Sequence, residues 1–336
     1  MKKTAEAVSL GHPDKSSDFI SSFILDRLIE QDAYTRYALE VMLKDNAVVC
    51  GGEIATRANL DNINIWIRDA IIQIGYGAEY SKLWGDFALN PDKLKIINLI
   101  GKQSVDINRG VEQNGWGDQG VFVGYACQGA GNINQELYLA RKLNCALYNY
   151  AKTNLDFGLG LDIKTQITLD DDNEIDTAIV AIPMLNDVDL TDFVKQILNQ
   201  KINNIIINGT GRYTFHGPIA DCGITGRKLA CDFYSTAAPI GGGSPWTKDA
   251  SKADLTLNLY ARKLALQYLG QNDECFVYLS SCIGRSELPS AAVKMIRNGN
   301  VVTHNIAINK TPSEIISDLG LDKPIYADLC RHSVGL

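Results

Sequence analysis

The chain has no surplus of positive charge: 32 Lys and Arg stand against 39 Asp and Glu, a net charge of −7. That argues against a large basic surface for nucleic acid. Any anionic ligand must then be met by a local cluster of cations. No stretch approaches the roughly 18 continuous apolar residues of a membrane helix, so no membrane partner is expected. MKKTAEAVSLGHPDK puts Lys2 and Lys3 at the start with no apolar run behind them, which does not read as a secretory signal. The eight cysteines include no CxxC pair, and Cys50, Cys127, Cys231 and Cys275 sit in apolar, strand-like runs. Buried, reduced thiols in a cytoplasmic protein are expected. A zinc site would want tighter Cys/His clustering.

What is present is ordinary for a globular protein: 46% hydrophobic and 21% charged residues over 336 positions. That length suits two or three domains with a sizeable core. Phe19, Ile20, Phe23, Ile24, Leu28 and Ile29 recur at helical spacing, which predicts a helix over 17–31. Strand-like runs at 36–44 and 47–56 and a helix over 59–74 follow, then a run at 94–100. The middle third reads as a strand (121–127), a helix (133–152), strands (163–169, 177–184), a helix (189–200) and a strand (203–208). The last third reads as a helix (253–269), strands (274–282, 291–296, 300–308) and a helix (312–319). Helix, two strands, helix thus recurs three times without matching letters, which predicts three small α+β units.

Long polar loops at 101–120, 209–227 and 235–252 separate the units. Loops this long in a compact protein are functional or disordered. In GGGSPWTKDASKAD (241–254) three glycines allow an anion nest, Lys248 and Lys252 supply charge, and Asp249 or Ser251 could cap the helix that follows. The P-loop spacing is not met, and a flexible loop before a capped helix fits the letters equally well. Arg227, Lys228 and Lys164 add cations. Asp14, Asp118, Asp221 and Asp254 sit at loops or helix starts, where capping is the usual role. Set among cations and glycines, such carboxylates would also suit Mg²⁺-bound polyphosphate. GGE (51–53) makes Glu53 either part of a bulge or a point of close ligand approach. In GHPDK (11–15), Pro13 stiffens a turn that Ser16, Ser17 or Asp18 could cap without it.

In order along the chain, GHPDK (11–15), GGEIAT (51–56), GKQSVDIN (101–108), GDQG (117–120), DIKTQ (162–166), INGTGR (207–212), DCGITGRK (221–228), GGGSPWTKDASKAD (241–254) and IG (283–284) resemble the S-adenosylmethionine synthetase (methionine adenosyltransferase) family. The resemblance implies an α+β fold of three similar domains with pseudo-threefold symmetry. The expected boundaries are 1–105, 115–217 and 219–336, with exchange of strands and helices between domains left open. It implies ATP and L-methionine as substrates, and a homodimer with active sites at the subunit interface. Pairing of dimers into tetramers is left open.

The implied reaction is attack of the methionine sulfur on C5′ of ATP, followed by hydrolysis of tripolyphosphate. Two Mg²⁺ per site, held by Asp14 and Asp254, and a K⁺ at Glu40 are implied. His12, Lys164, Arg227, Lys248 and Lys252 match catalytic positions. Asp162, Arg212, Tyr213, Asp221 and Lys228 join them in binding ATP. Glu53, Gln103, Asp118, Asp221 and Ile283 match positions around methionine, and residues 101–110 match a gating loop. Lys15 is implied at either ATP or solvent.

The letters depart from the family pattern at Val105, Gly209, Tyr213, Pro239-Ile240, Ser244 to Thr247 and Lys44 to Asn46. None of these changes removes a cation or a metal carboxylate. A non-catalytic homologue would lack some of His12, Asp14, Lys164, Arg227, Lys248 and Asp254, and all are present.

Overall fold

The computed structural model describes residues 2–102 and 115–334. Twelve strands form three four-stranded sheets among these residues. The first holds β2 (Arg36–Lys44), β3 (Ala47–Ala55), β4 (Lys95–Lys102) and β9 (Gly223–Ile224), in the order β4-β3-β2-β9. The second orders β1 (Lys3–Val8), β6 (Lys164–Leu169), β7 (Ile175–Ala181) and β8 (Ile202–Ile207) as β1-β6-β7-β8. The third orders β5 (Gly120–Cys127), β10 (Glu274–Ser281), β11 (Ser290–Arg297) and β12 (Asn300–Asn305) as β12-β11-β10-β5.

Each third of the chain therefore keeps three strands and gives one away. β1 leaves the first third for the central sheet, β5 leaves the second for the last sheet, and β9 leaves the last for the first sheet. The first two sheets share one pattern: the donated strand is antiparallel to a hairpin, and a parallel strand closes the edge. Parallel pairing needs a crossover, which the helices Ile63–Ile74 and Thr191–Leu198 supply. The third sheet departs from this, because β11 and β12 form a further antiparallel pair.

The helix Pro13–Ile29 lies at the centre, and every residue of it except Arg27 is buried. Its apolar side chains Phe19, Ile20, Phe23, Ile24 and Leu28 enter the main core with Tyr37, Leu39, Val41 and Leu43 of β2. Each fully buried side chain of this kind contributes about 1.5–3 kcal/mol. A helix buried all round must also satisfy its polar groups. Ser16 Oγ donates to Leu10 O and Ser17 Oγ to Pro13 O.

This helix begins four residues earlier than its periodicity predicts. Pro13 occupies the first turn, and the His12 side chain is the cap, Nδ1 accepting from Asp14 N at 3.2 Å. Ser16, Ser17 and Asp18 are interior residues, so none of them caps it. The helix Ala253–Leu269, by contrast, has no side-chain cap, so neither Asp249 nor Ser251 caps it. Asp249 instead accepts from Ser251 N and from Tyr37 N, which ties the glycine loop to β2.

Candidate active site

The start of helix Pro13–Ile29 collects one set of charges. Asp14 is buried, and its Oδ1 accepts from Ile224 N at 2.9 Å. Its Oδ2 lies 2.8 Å from Lys228 Nζ, and the half-exposed Arg227 guanidinium lies 3.8 Å from Oδ1. Burial opposes the Asp14 charge, but the Lys228 and Ile224 hydrogen bonds outweigh it and hold the carboxyl below its usual range. Burial, with Lys228 and Lys164 nearby, pushes His12 down to about 3. The ring is therefore neutral at pH 7. Because Nδ1 accepts, the ring proton sits on Nε2, which is left as a donor.

Asp162 borders the same place. Its Oδ2 accepts from Gly217 N at 2.9 Å, while its buried Oδ1 has no partner. Burial raises this carboxyl to about 6, with Lys164 opposing the shift and Asp221 adding to it. Asp221 Oδ1 accepts from the next amide, Cys222 N. Tyr213 lies near Asp162, and burial raises its phenol.

The glycine loop forms a second set. Lys248 Nζ pairs with Asp254 Oδ2, and Asp254 Oδ1 accepts from Gly243 N at 2.8 Å. The glycines are required here. A Cβ on Gly241 would stand 1.9 Å from Val121 O, and one on Gly242, at φ +72°, would stand 2.4 Å from Asp254 Oδ1. Lys252 is the extended residue immediately before the helix Ala253–Leu269.

Glu40 lies between the two sets. Its carboxylate accepts from Thr225, two residues before Arg227, and from Thr247, next to Lys248. Ser244 Oγ is buried without a partner, and Ser244 O accepts from Thr247 Oγ1. An all-oxygen cluster of this kind suits a hard cation.

The outward face of the first sheet carries Glu53 beside Ala38 and Gly101, on the same face as Glu40. Asp118 and Ile283 come together through neighbours: Ser281 Oγ donates to Asp118 O, and Trp116 bridges Ile283. Both are exposed. Arg212 is turned elsewhere, donating to Leu185 O and lying 3.3 Å from Asp187. Gln103 and most of the 101–110 loop lie outside the described residues.

Three family models match in turn: the N-terminal domain of S-adenosylmethionine synthetase over 1–105, the central domain over 113–216, and the C-terminal domain over 215–334. The chain belongs to the S-adenosylmethionine synthetase family. It is also similar to a solved structure described as an unusual S-adenosylmethionine synthetase from Campylobacter jejuni. That likeness has 31% identity and a TM-score of 0.86, over 100% of this chain and 95% of the other. The activity class is accordingly methionine adenosyltransferase.

The S-adenosylmethionine synthetase family is metal-dependent. Among the described residues no group of three or more His, Cys, Asp or Glu side chains forms a metal cage. Asp14 and Asp254 each offer a carboxylate aimed by a backbone amide and balanced by a lysine. That donor set fits Mg²⁺, which binds through one or two carboxylates with phosphate oxygens completing the shell. Spacing left three partners unnoticed: Thr225 and Thr247 around Glu40, and Asp232 facing Lys15. The letters DCGITGRK and SPWTK contain the two threonines, but only the folded chain aims them at one carboxylate.

Proposed function

We propose that the chain makes S-adenosyl-L-methionine from ATP and L-methionine and then hydrolyses the tripolyphosphate to pyrophosphate and phosphate. The observation that carries this is His12: a neutral ring with Nε2–H free to donate, set among Lys164, Arg227 and Lys228. Methionine sulfur is a neutral nucleophile and needs no base. The barrier lies in charge building on the departing triphosphate oxygen. A fixed donor at such an oxygen is worth about 2.7–4 kcal/mol, and positioning of the two substrates can supply roughly 7–11 kcal/mol.

On this reading His12 donates to the leaving oxygen, and Lys164, Arg227, Lys228, Lys248 and Lys252 hold phosphate oxygens. Asp162, whose Oδ1 lacks a partner, takes a hydroxyl of the nucleoside, and Tyr213 packs against the base. Glu53, Asp118, Asp221, Gln103 and Ile283 surround methionine, with the carboxylates facing its ammonium and the sulfonium product. Arg212 reaches ATP only by leaving Asp187. Asp14 and Asp254 would hold Mg²⁺, which would supply charge neutralisation for the phosphates, and Glu40 with Thr225 and Thr247 would hold K⁺.

A homodimer with shared sites is supported by the outward face of the first sheet. Met42, Ile97, Leu99 and Ile224 are exposed there around Glu40 and Glu53. Exposed apolar patches rimmed by polar groups mark interaction surfaces. The units 1–105, 115–217 and 219–336 are our domain boundaries, each keeping three strands and donating one. A cytoplasmic setting is supported by eight free cysteines. No helix among the described residues is long and apolar enough to cross a membrane.

The test is purified protein with ATP, L-methionine and Mg²⁺, with and without K⁺. S-adenosylmethionine, pyrophosphate and phosphate are expected. Absence of product, or release of ADP, overturns the reading.

A further inference from the structure

Lys15, the last letter of GHPDK, points away from the phosphate-binding groups. It is 3% exposed, and its Nζ lies 2.7 Å from Asp232 Oδ2, 3.1 Å from Cys330 O and 4.0 Å from Asp18 Oδ2. The ammonium also stands 5.3 Å from the centre of the Trp246 ring. The ammonium has three donors, and Asp232 Oδ2, Cys330 O and, at 3.6 Å, Cys330 Sγ take them, while Asp18 adds charge without a hydrogen bond.

The partners of Lys15 adjoin three of the segments that carry phosphate-binding groups: the His12–Asp14 turn, the Arg227–Lys228 loop and the stretch before Lys248. Asp232 Oδ2 also accepts from Trp246 Nε1 at 2.8 Å, two residues before Lys248. The same Asp232 ends the short helix Leu229–Asp232, which begins next to Lys228. Asp18 Oδ1 accepts from Gly226 N at 2.8 Å, next to Arg227. The loop 224–228 is thus pinned to the first turns of helix Pro13–Ile29 at Ile224, Gly226 and Lys228.

A second contact set closes the cluster from behind. The helix Tyr326–His332 lies along Pro13–Ile29, bracketed by charges of that longer helix. At its start Asp26 accepts from Tyr326 N and Ala327 N, each at 2.9 Å. Near its end Lys15 donates to Cys330 O. Acid at the amide end and base at the carbonyl end is the arrangement that suits a helix dipole. Just beyond, Ser333 Oγ donates to Asp232 Oδ1 and Val334 N to Asp232 O.

A buried ion pair of this kind gains little stability over a well-packed apolar replacement. Its value is in fixing geometry. We propose that Lys15 is a positioning residue: through Asp232 and Asp18 it sets the mutual placement of the His12–Asp14 turn, the Arg227–Lys228 loop and the Trp246–Lys248 segment, with the helix Tyr326–His332 as its lock. This role rests on the adenosyl transfer proposed above and goes beyond it, since Lys15 is given no contact with substrate.

The test is Lys15→Met, Asp232→Asn and the double variant, assayed with ATP and L-methionine. Alongside, the indole N–H resonance of Trp246, one of four tryptophans, is followed without nucleotide and assigned from Trp246→Phe. Lys15→Met is expected to lower kcat by 10- to 100-fold, leave the KM for ATP within about threefold, and shift the Trp246 resonance. The double variant is expected to be no slower than the worse single one, since both changes break one unit. A KM for ATP raised tenfold or more with kcat retained, losses that multiply in the double variant, or an unmoved Trp246 resonance overturns the proposal. If Lys15→Met does not fold, Ser333→Ala decides, because it removes a single tie to Asp232. A two- to fivefold loss of kcat with a shifted resonance is expected there, and wild-type values overturn the role. An inactive wild-type enzyme in the same assay refutes the proposed reaction instead, and the resonance still reports on the cluster.

Discussion

Lys228 Nζ and Asp14 Oδ2 lie 2.8 Å apart, so a cation suited to phosphate and a carboxylate suited to metal neutralise one another. If polyphosphate and Mg²⁺ bind here as proposed, each frees the partner of the other, and neither residue gains much from one ligand alone. Tripolyphosphate should therefore stabilise the protein strongly with Mg²⁺ and weakly without it. A ligand at 100 times its Kd adds about 2.7 kcal/mol. Thermal melts with tripolyphosphate, with and without Mg²⁺, measure this. Asp14→Asn should lose most of the Mg²⁺-dependent part. Equal shifts with and without the metal in the wild type would count against the exchange of partners.

The pair Lys248–Asp254 repeats the arrangement across the glycine loop. Asp254 stands in the first turn of Ala253–Leu269, a helix without a side-chain cap, and its side chain serves Gly243 N and Lys248. Lys248→Ala and Asp254→Asn should each cut turnover by at least 100-fold. Stability should change by no more than ~1 kcal/mol, the usual worth of a lost cap or similar hydrogen bond. A stability loss with turnover intact would reduce Asp254 to a brace for the loop.

The legible part of this protein was its punctuation. Glycine and charge marked the loops 221–228 and 241–254, and apolar periodicity marked the long helices. What escaped was decided by tertiary pairing. β9 has two residues, and it exists as a strand because Ile224 meets Met42. β1 alternates weakly as KTAEAV and is read only against β6. The helix Tyr326–His332 has seven residues, too few to stand alone, and Asp26 holds its start from about 300 positions away. Lys15 and Asp232 are 217 positions apart. No local pattern says that one faces the other, so the letters leave Lys15 open between nucleotide and solvent, while the folded chain buries it against Asp232 and Cys330.

Leu99 on β4 is 65% exposed, and it shares the outward face of its sheet with Met42 and Ile224. A charge there leaves the chain's own core untouched, since the buried residues of that sheet point the other way. Leu99→Asp should give a folded monomer by light scattering, with activity lower by at least 100-fold if the site is shared between copies. A variant that remains a dimer of wild-type activity places the interface elsewhere.

His216 gives the fold a weakness to acid that can be separated from the chemistry. The ring is fully buried, with Nδ1 2.8 Å from Thr214 O and Nε2 2.5 Å from Tyr80 Oη. The carbonyl can only accept, so Nδ1 carries the proton and Nε2 accepts from the phenol. Trp84 packs edge-on at 4.5 Å, and burial pushes the group from its usual 6.5 down to about 4. Here the folded value lies below the unfolded one for a base, so the native state binds fewer protons between the two. Stability is complete above pH 6.5 and drains as pH falls toward 4. Linkage puts the loss at about 2 kcal/mol between pH 7.5 and pH 5. His12 and Asp162 also titrate in or near this window, but they are present in wild type and variant alike. His216→Phe should be less stable at pH 7.5, because Tyr80 and Thr214 lose a partner, yet its urea midpoint should fall less steeply toward pH 5. Parallel pH curves for the two proteins would remove His216 from the account.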